Sequence, residues 1–258
     1  MAALALICAL SACGGPAGKS RDGGKLGSGD QHGLAPPRVT NVQMASGGIK
    51  VEGDAAPAAH IRLASPDGRA IAALADADGH WQLLVPPIAP AAIYGLSQKV
   101  EDRTLQAEGY LLVTHSGRGV LLRSGVGALV YDDKPTAGLT ALDTDREGAA
   151  VVSGRGTAGT LVSAYVDGRK MGQGRVDSAG QFELPLTGPV AAGRHVVKVF
   201  GDSLSASVTV TLRPTASLQQ GPLRATSAPG GLQIEWLTPG GGTQTTLIVN
   251  PASTAVSP

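Results

Sequence analysis

Lys50 to Pro86 reads KVEGDAAPAAHIRLASPDGRAIAALADADGHWQLLVP, and Val151 to Leu186 reads VVSGRGTAGTLVSAYVDGRKMGQGRVDSAGQFELPL. The two share a frame. Gly53 aligns with Gly154, Ile61 and Leu63 with Val162 and Ala164, and Asp67-Gly68-Arg69 with Asp167-Gly168-Arg169. Asp76 through Gly79 to Trp81 aligns with Asp177 through Gly180 to Phe182. The offset of about 100 residues is domain-sized, so the repeat marks duplicated modules and not a solenoid of short units. Within each copy, apolar residues alternate over short runs bounded by Asp-Gly turns. That pattern predicts antiparallel strands with one apolar face, joined by turns in which glycine supplies positive φ at little steric cost. Trp81 and Phe182 follow equivalent turns. A placement shared by diverged copies predicts rings that plug the space between two sheets, in preference to rings exposed for stacking on sugars.

Outward from the repeat, composition agrees with an all-β chain. Of 258 residues, 42% are hydrophobic and only 3% aromatic, with 37 Gly and 17 Pro, which favours many short strands and tight turns over a large helical domain. The formal charge is +1, from 21 basic and 20 acidic residues, so no net field draws in nucleic acid or acidic lipid. Nucleic acid is not an expected partner.

Upstream, Met1 to Ala12 is MAALALICALSA, an apolar run of signal-peptide length and too short to span a membrane. It ends in Leu10-Ser11-Ala12-Cys13 followed by Gly14-Gly15. This resembles the lipobox of bacterial lipoproteins, although no Lys or Arg precedes the run. The resemblance implies cleavage before Cys13, acylation of its thiol and anchoring by the acyl chains. It also implies outer-membrane sorting, because Gly14 and not Asp follows the cysteine. Cys8 would leave with the signal, so no disulfide is expected in the mature chain. Gly14 to Pro37 is rich in Gly and Ser with little to bury, and reads as a flexible linker.

The Gly53 to Trp81 segment, with Ala75-Asp76-Ala77-Asp78-Gly79-His80-Trp81, looks like bacterial Ig-like domains. Copy two keeps the second half, including the closing strand Ala192 to Val199, but has Ala158 where the family usually shows Pro. The resemblance covers roughly Arg38 to Leu212 and implies Greek-key β-sandwiches of about 100 residues each. The expected organisation is a signal peptide over 1–12, a linker over 13–37, sandwiches over 38–133 and 134–213, and a tail over 214–258. In the tail, GGLQIEWLTPGGGTQTTLIV reads as a β-hairpin with Leu232, Ile234 and Trp236 on one face, followed by a disordered end. A lone hairpin is marginal, so this one is expected to add strands to a sandwich.

Three motifs suggest chemistry and are read against it. Gly201-Asp202-Ser203-Leu204-Ser205 is similar to the nucleophile block of GDSL esterases. Yet no His follows His195 to complete a triad, and ASVTVTL alternates as a strand where those enzymes open a helix. His32, His60, His80, His115 and His195 stand singly, without metal-ligand spacing. Asp76-Ala77-Asp78-Gly79 resembles the opening of a calcium loop but lacks the closing Glu, and reads as a tight turn. Asp132-Asp133 and Glu101-Asp102 read as solvated loop residues.

No catalytic, metal or cofactor-binding residue is therefore assigned, and Cys13 is the one site residue, for lipidation. The leading expectation is a non-enzymatic envelope lipoprotein. Its tandem Ig-like domains would serve as spacer, scaffold or protein-interaction surface, with the membrane and an envelope protein as partners. The alternative is a glycan- or peptidoglycan-binding envelope module.

Overall fold

The computed structural model describes residues 34–86, 90–132, 136–202, 204–213 and 217–250. Cys13, His32, Asp133 and Ser203 lie outside the described residues, as does the disordered end expected after Asn250. The described residues form antiparallel strands and no helix.

The first repeat supplies two sheets. One runs β1 (Arg38–Ala45), β2 (Gly48–Asp54), β5 (His80–Val85). The other contains β3 (His60–Ala64), β4 (Ala70–Leu74), β6 (Ala91–Val100), β8 (Tyr110–Thr114), β9 (Gly119–Leu122) and β10 (Leu129–Tyr131), in the order β10-β9-β8-β6-β3-β4. The short strand β7 (Arg103–Gln106) pairs the far half of β6. Alternation decides which side chains face inward: β5 buries Trp81, Leu83 and Val85 while His80, Gln82 and Leu84 face out. Those inward residues meet Ile61, Leu63, Leu96 and Leu111 of the facing sheet in one apolar core.

The second repeat builds the same pair of layers. Sheet three includes β11 (Gly138–Thr144), β12 (Ala150–Arg155) and β15 (Gln181–Pro185). Sheet four runs β14 (Arg169–Arg175), β13 (Leu161–Val166), β16 (Gly193–Gly201), β17 (Leu204–Leu212). The repeat persists in cross-strand detail. Gly53 pairs with Trp81, and Gly154 with Phe182. Each ring is buried and lies across its glycine. A Cβ on Gly53 would fall 2.3 Å from the Trp81 ring and one on Gly154 2.3 Å from that of Phe182. The glycines in the repeat are therefore the seats of the rings as well as turn-formers.

The chain after Leu212 forms three strands, β18 (Leu223–Ala228), β19 (Gly231–Leu237) and β20 (Thr243–Val249). β20 pairs with β11, so sheet three continues as β15-β12-β11-β20-β19-β18. One face of these strands helps close the second core, through Leu247 and Val249. The opposite face, with Ile234, Trp236 and Ile248, packs on Ile93, Leu112, Val120, Leu122 and Val130 from the outer face of sheet two. Sheets two and three are thus apolar on both sides, and three cores alternate with four sheets in a single stack. Doubly buried strands lose alternation and read as continuous apolar runs, as Leu111-Leu112-Val113 and Leu247-Ile248-Val249 do.

Candidate functional site

The polar candidates are committed to local structure. Asp76 Oδ1 accepts the amides of Asp78 and His80 at 3.0 and 2.8 Å, and Asp177 Oδ1 accepts those of Ala179 and Gln181 at 2.9 and 2.8 Å. Each carboxylate folds its own turn, which is what an Asp followed by Gly at positive φ does best. His80 Nδ1 lies 2.9 Å from Asp54, and His195 Nδ1 lies 2.7 Å from Asp167, with its other nitrogen 2.8 Å from the Ala191 carbonyl. Gly201 pairs with Leu204 across the β16–β17 hairpin. His195 sits six residues back along β16, roughly 20 Å away at strand rise, and its ring is already held. His60 and His115 are exposed.

One expectation needs correction. Asp132 is not a solvated loop carboxylate: Arg118 Nε donates to it at 2.6 Å and Nη2 at 3.3 Å, and its side chain is 21% exposed. Its partner is not evident in the local sequence because it lies 14 residues back, in the turn leading into β9. The same guanidinium donates to the Val249 carbonyl at 3.0 Å, so Arg118 ties sheet two to β20. Glu101 and Asp102 are exposed, as the sequence suggested.

The densest buried polar cluster among the described residues lies beside the third core. Asp143 on β11 accepts the Ala128 amide at 2.8 Å, the Thr246 hydroxyl and the Gln244 amide at 3.3 Å. Trp236 Nε1 donates to Thr246 at 3.2 Å, and Gln244 accepts the Gly125 amide at 3.2 Å. Arg123 adds its guanidinium to the Gly127 carbonyl and to Glu183. Three donors converging on one carboxylate fix the register between the 123–128 loop and the last strand, since a slip would leave buried donors unpaired. Nothing in the local sequence announced this cluster, because Asp143 and the last strand lie about 100 residues apart.

These groups give stability a specific pH dependence. Burial pushes the Asp143 carboxyl up to about 6, against the opposing pull of its three donors. Hydrogen bonding to Asp167 raises His195, and hydrogen bonding to Asp54 raises His80. Raised groups contribute stability that is full below their unfolded values and is lost as pH rises through the folded ones. Glu52, Asp54, Asp67 and Asp167 are lowered, chiefly by hydrogen bonds from Lys50, His80, Ser65 and the Val196 amide, so their contributions vanish as pH falls through the folded values. The thermal midpoint should therefore rise as pH is brought from about 8 to about 5, and drop again below about 4. Asp143, with a folded value of about 6 and an unfolded value of about 3.9, supplies roughly 1 kcal/mol of that rise by pH 5. Asp143→Asn should remove that share and leave the part due to His195 and His80. A midpoint that falls steadily from pH 8 downward would contradict the assignment.

The surface offers two further features. A cleft of about 640 Å³ opens between the start of β1 and strands β8 to β10, lined by Pro36, Pro37, Val39, Leu111, Leu121 and Tyr131, with Arg38, Glu108 and Arg155 around it. On the outer face of sheet four, Phe200 is 45% exposed and packs edge-on to Tyr165, with ring centroids 5.7 Å apart.

No protein-family model matches the chain, and no curated protein matches it. Among solved structures it is similar to one described as the BSP domain of a biofilm-associated protein, at 15% identity and a TM-score of 0.24, with 69% of this chain and 29% of that chain covered. It is also similar to a structure concerned with host cell surface retention of a 1.5-MDa bacterial ice-binding adhesin, at 17% identity and a TM-score of 0.23. There, 67% of this chain and 60% of that chain are covered.

Proposed function

We propose that the protein is a non-enzymatic lipoprotein of the bacterial cell envelope, held at the outer membrane through Cys13, whose Ig-like repeats form one stiff spacer that presents interaction surfaces. The observation that carries this reading is the third apolar core. It joins both repeats into a continuous packed stack, the property a strut needs and one that a flexible pair of beads lacks. The Leu10-Ser11-Ala12-Cys13 segment supports the anchor, and the Gly- and Ser-rich stretch after it supports a tether long enough to hold the stack off the lipid. Partners are the membrane, through the lipid, and an envelope protein at a sheet edge or end loop.

Metabolic labelling with a clickable palmitate analogue tests the anchor. The mature protein should carry the label in the envelope fraction and lose both label and membrane association in Cys13→Ala. Full-length, unlabelled protein in the cytosol would overturn the reading. The glycan-binding alternative has one foothold, the exposed Phe200 beside Tyr165, and a cell-wall pull-down in which Phe200→Ala binds as wild type, or neither binds, would remove it.

A further inference from the structure

Besides His195, the strands of sheet four hold five basic side chains, Arg169, Lys170, Arg175, Arg194 and Lys198, and not one Asp or Glu. In a chain whose net charge is +1, this segregation makes a local positive field on an otherwise balanced surface. Alternation and register set the outer face of the sheet in rows. Lys170, Tyr165, Lys198 and Ser207 stand side by side across β14, β13, β16 and β17, and Gln173, Ser163, Phe200 and Ser205 form the next row. Arg175 lies at one end, opposite Leu161, and Arg194 lies beyond Lys198 toward the other.

The protein does not neutralise these cations itself. Among the described residues no ion pair ties any of them to a carboxylate. Lys170 donates to Gln173 and Arg175 to the Gly159 carbonyl at 2.8 Å, both neutral acceptors. Asp167, in the turn at one end, is taken up by the Val196 amide and His195, and exposed Asp202 sits in the turn at the other. Elsewhere charge is matched: Arg38 pairs with Asp54 and Lys50 with Glu52 on sheet one, and Arg224 pairs with Glu235 on sheet three. The exposed half of sheet two carries Arg62 and Lys99, but their cross-strand neighbours are Ala72, Ser97, His60 and Thr104, with no Phe, Tyr or Trp among them.

We propose that the outer face of sheet four binds an acidic polysaccharide, one that carries a carboxylate on every second sugar. Lys170 and Lys198 flank Tyr165, their backbones two strand spacings or about 10 Å apart. That is close to the length of a disaccharide, whereas nucleic acid crowds its phosphates far more densely along each strand. Between the charges, Phe200 and Tyr165 offer apolar ring surface to the C–H face of a sugar, and Ser163, Gln173 and Ser205 supply groups that hydrogen-bond its hydroxyls. Rings set at 83° to one another give no parallel platform for successive bases. A second copy is a poor occupant, since a two-fold axis on this face would set cation against cation. The assignment rests on the glycan-binding reading of Phe200 and gives that reading a ligand class.

Isothermal titration calorimetry of the purified full chain with hyaluronan oligosaccharides, dextran and poly(dT), at low ionic strength, tests this. Hyaluronan should bind, dextran should not, and poly(dT) should bind at least tenfold more weakly than hyaluronan. Added salt should weaken the hyaluronan complex. Lys170→Gln combined with Lys198→Gln should cost at least tenfold in affinity and leave the thermal midpoint unchanged, because both side chains are exposed. Phe200→Ala should cost at least threefold. Arg62→Gln combined with Lys99→Gln, on the face of the first repeat that lacks rings, should bind as wild type. Hyaluronan that fails to bind, or binds the lysine pair variant or Phe200→Ala as tightly as wild type, would overturn the proposal. So would dextran bound equally well, or poly(dT) bound more tightly, which would assign the face to neutral glycan or to nucleic acid. Retention on isolated cell wall without hyaluronan binding would sink this ligand class and leave the glycan-binding reading standing.

Discussion

A chain ended after Leu218 should lose about 10 °C or more of thermal midpoint, or fail to fold. The truncation removes β18 to β20, and with them Ile234, Trp236 and Ile248 from the third core and Leu247 and Val249 from the second. Deleting a buried Leu, Ile or Trp side chain costs about 2 to 5 kcal/mol, so four such losses, with Val249 besides, approach the whole stability of an ordinary domain. The cut also exposes the outer faces of β8 and β9, leaves β11 as an edge, and strips Thr246 and Gln244 from buried Asp143. A melting curve indistinguishable from wild type would show that the last three strands are an ornament.

The second large effect belongs to the paired glycines. Gly53→Val puts a Cβ 2.1 Å from the Arg38 carbonyl oxygen as well as into the Trp81 ring, and Gly154→Val puts one 2.3 Å from the Gly138 carbonyl and into Phe182. A flexible side chain could step aside, but a carbonyl in a paired strand and a ring sealed in a core cannot. Each variant should cost about 3 kcal/mol or more, by forcing the first strand of its repeat away from the second. Gly188→Ala is the control: its Cβ meets nothing within 4 Å, and its stability should stay within about 0.5 kcal/mol of wild type. Chemical denaturation of the three proteins measures all of this. If only one of the glycine pair is intolerant, the structural equivalence of the repeats fails at that seat.

The strands, the tight turns and the two buried rings were legible because their causes are local or repeat with the sequence. Asp-Gly at the same offset in both copies, alternation in His80 to Val85, and a ring after each turn each point to one conformation. The polar cluster was not legible, since Asp143, Ala128, Gln244 and Thr246 carry no shared spacing and meet only when β20 pairs with β11. The third core left a trace that alternation alone does not explain: Leu111-Leu112-Val113 and Leu247-Ile248-Val249 are too apolar for strands with a wet face. Asp132 was misread because the guanidinium it pairs with comes from a different turn.

Differential scanning calorimetry tests the joined stack most directly. Three cores shared among four sheets leave no layer able to melt without exposing its neighbour, so one transition is expected, with calorimetric and van't Hoff enthalpies equal. Two resolved transitions, one for each repeat, would mean that the third core does not couple them and would contradict the account.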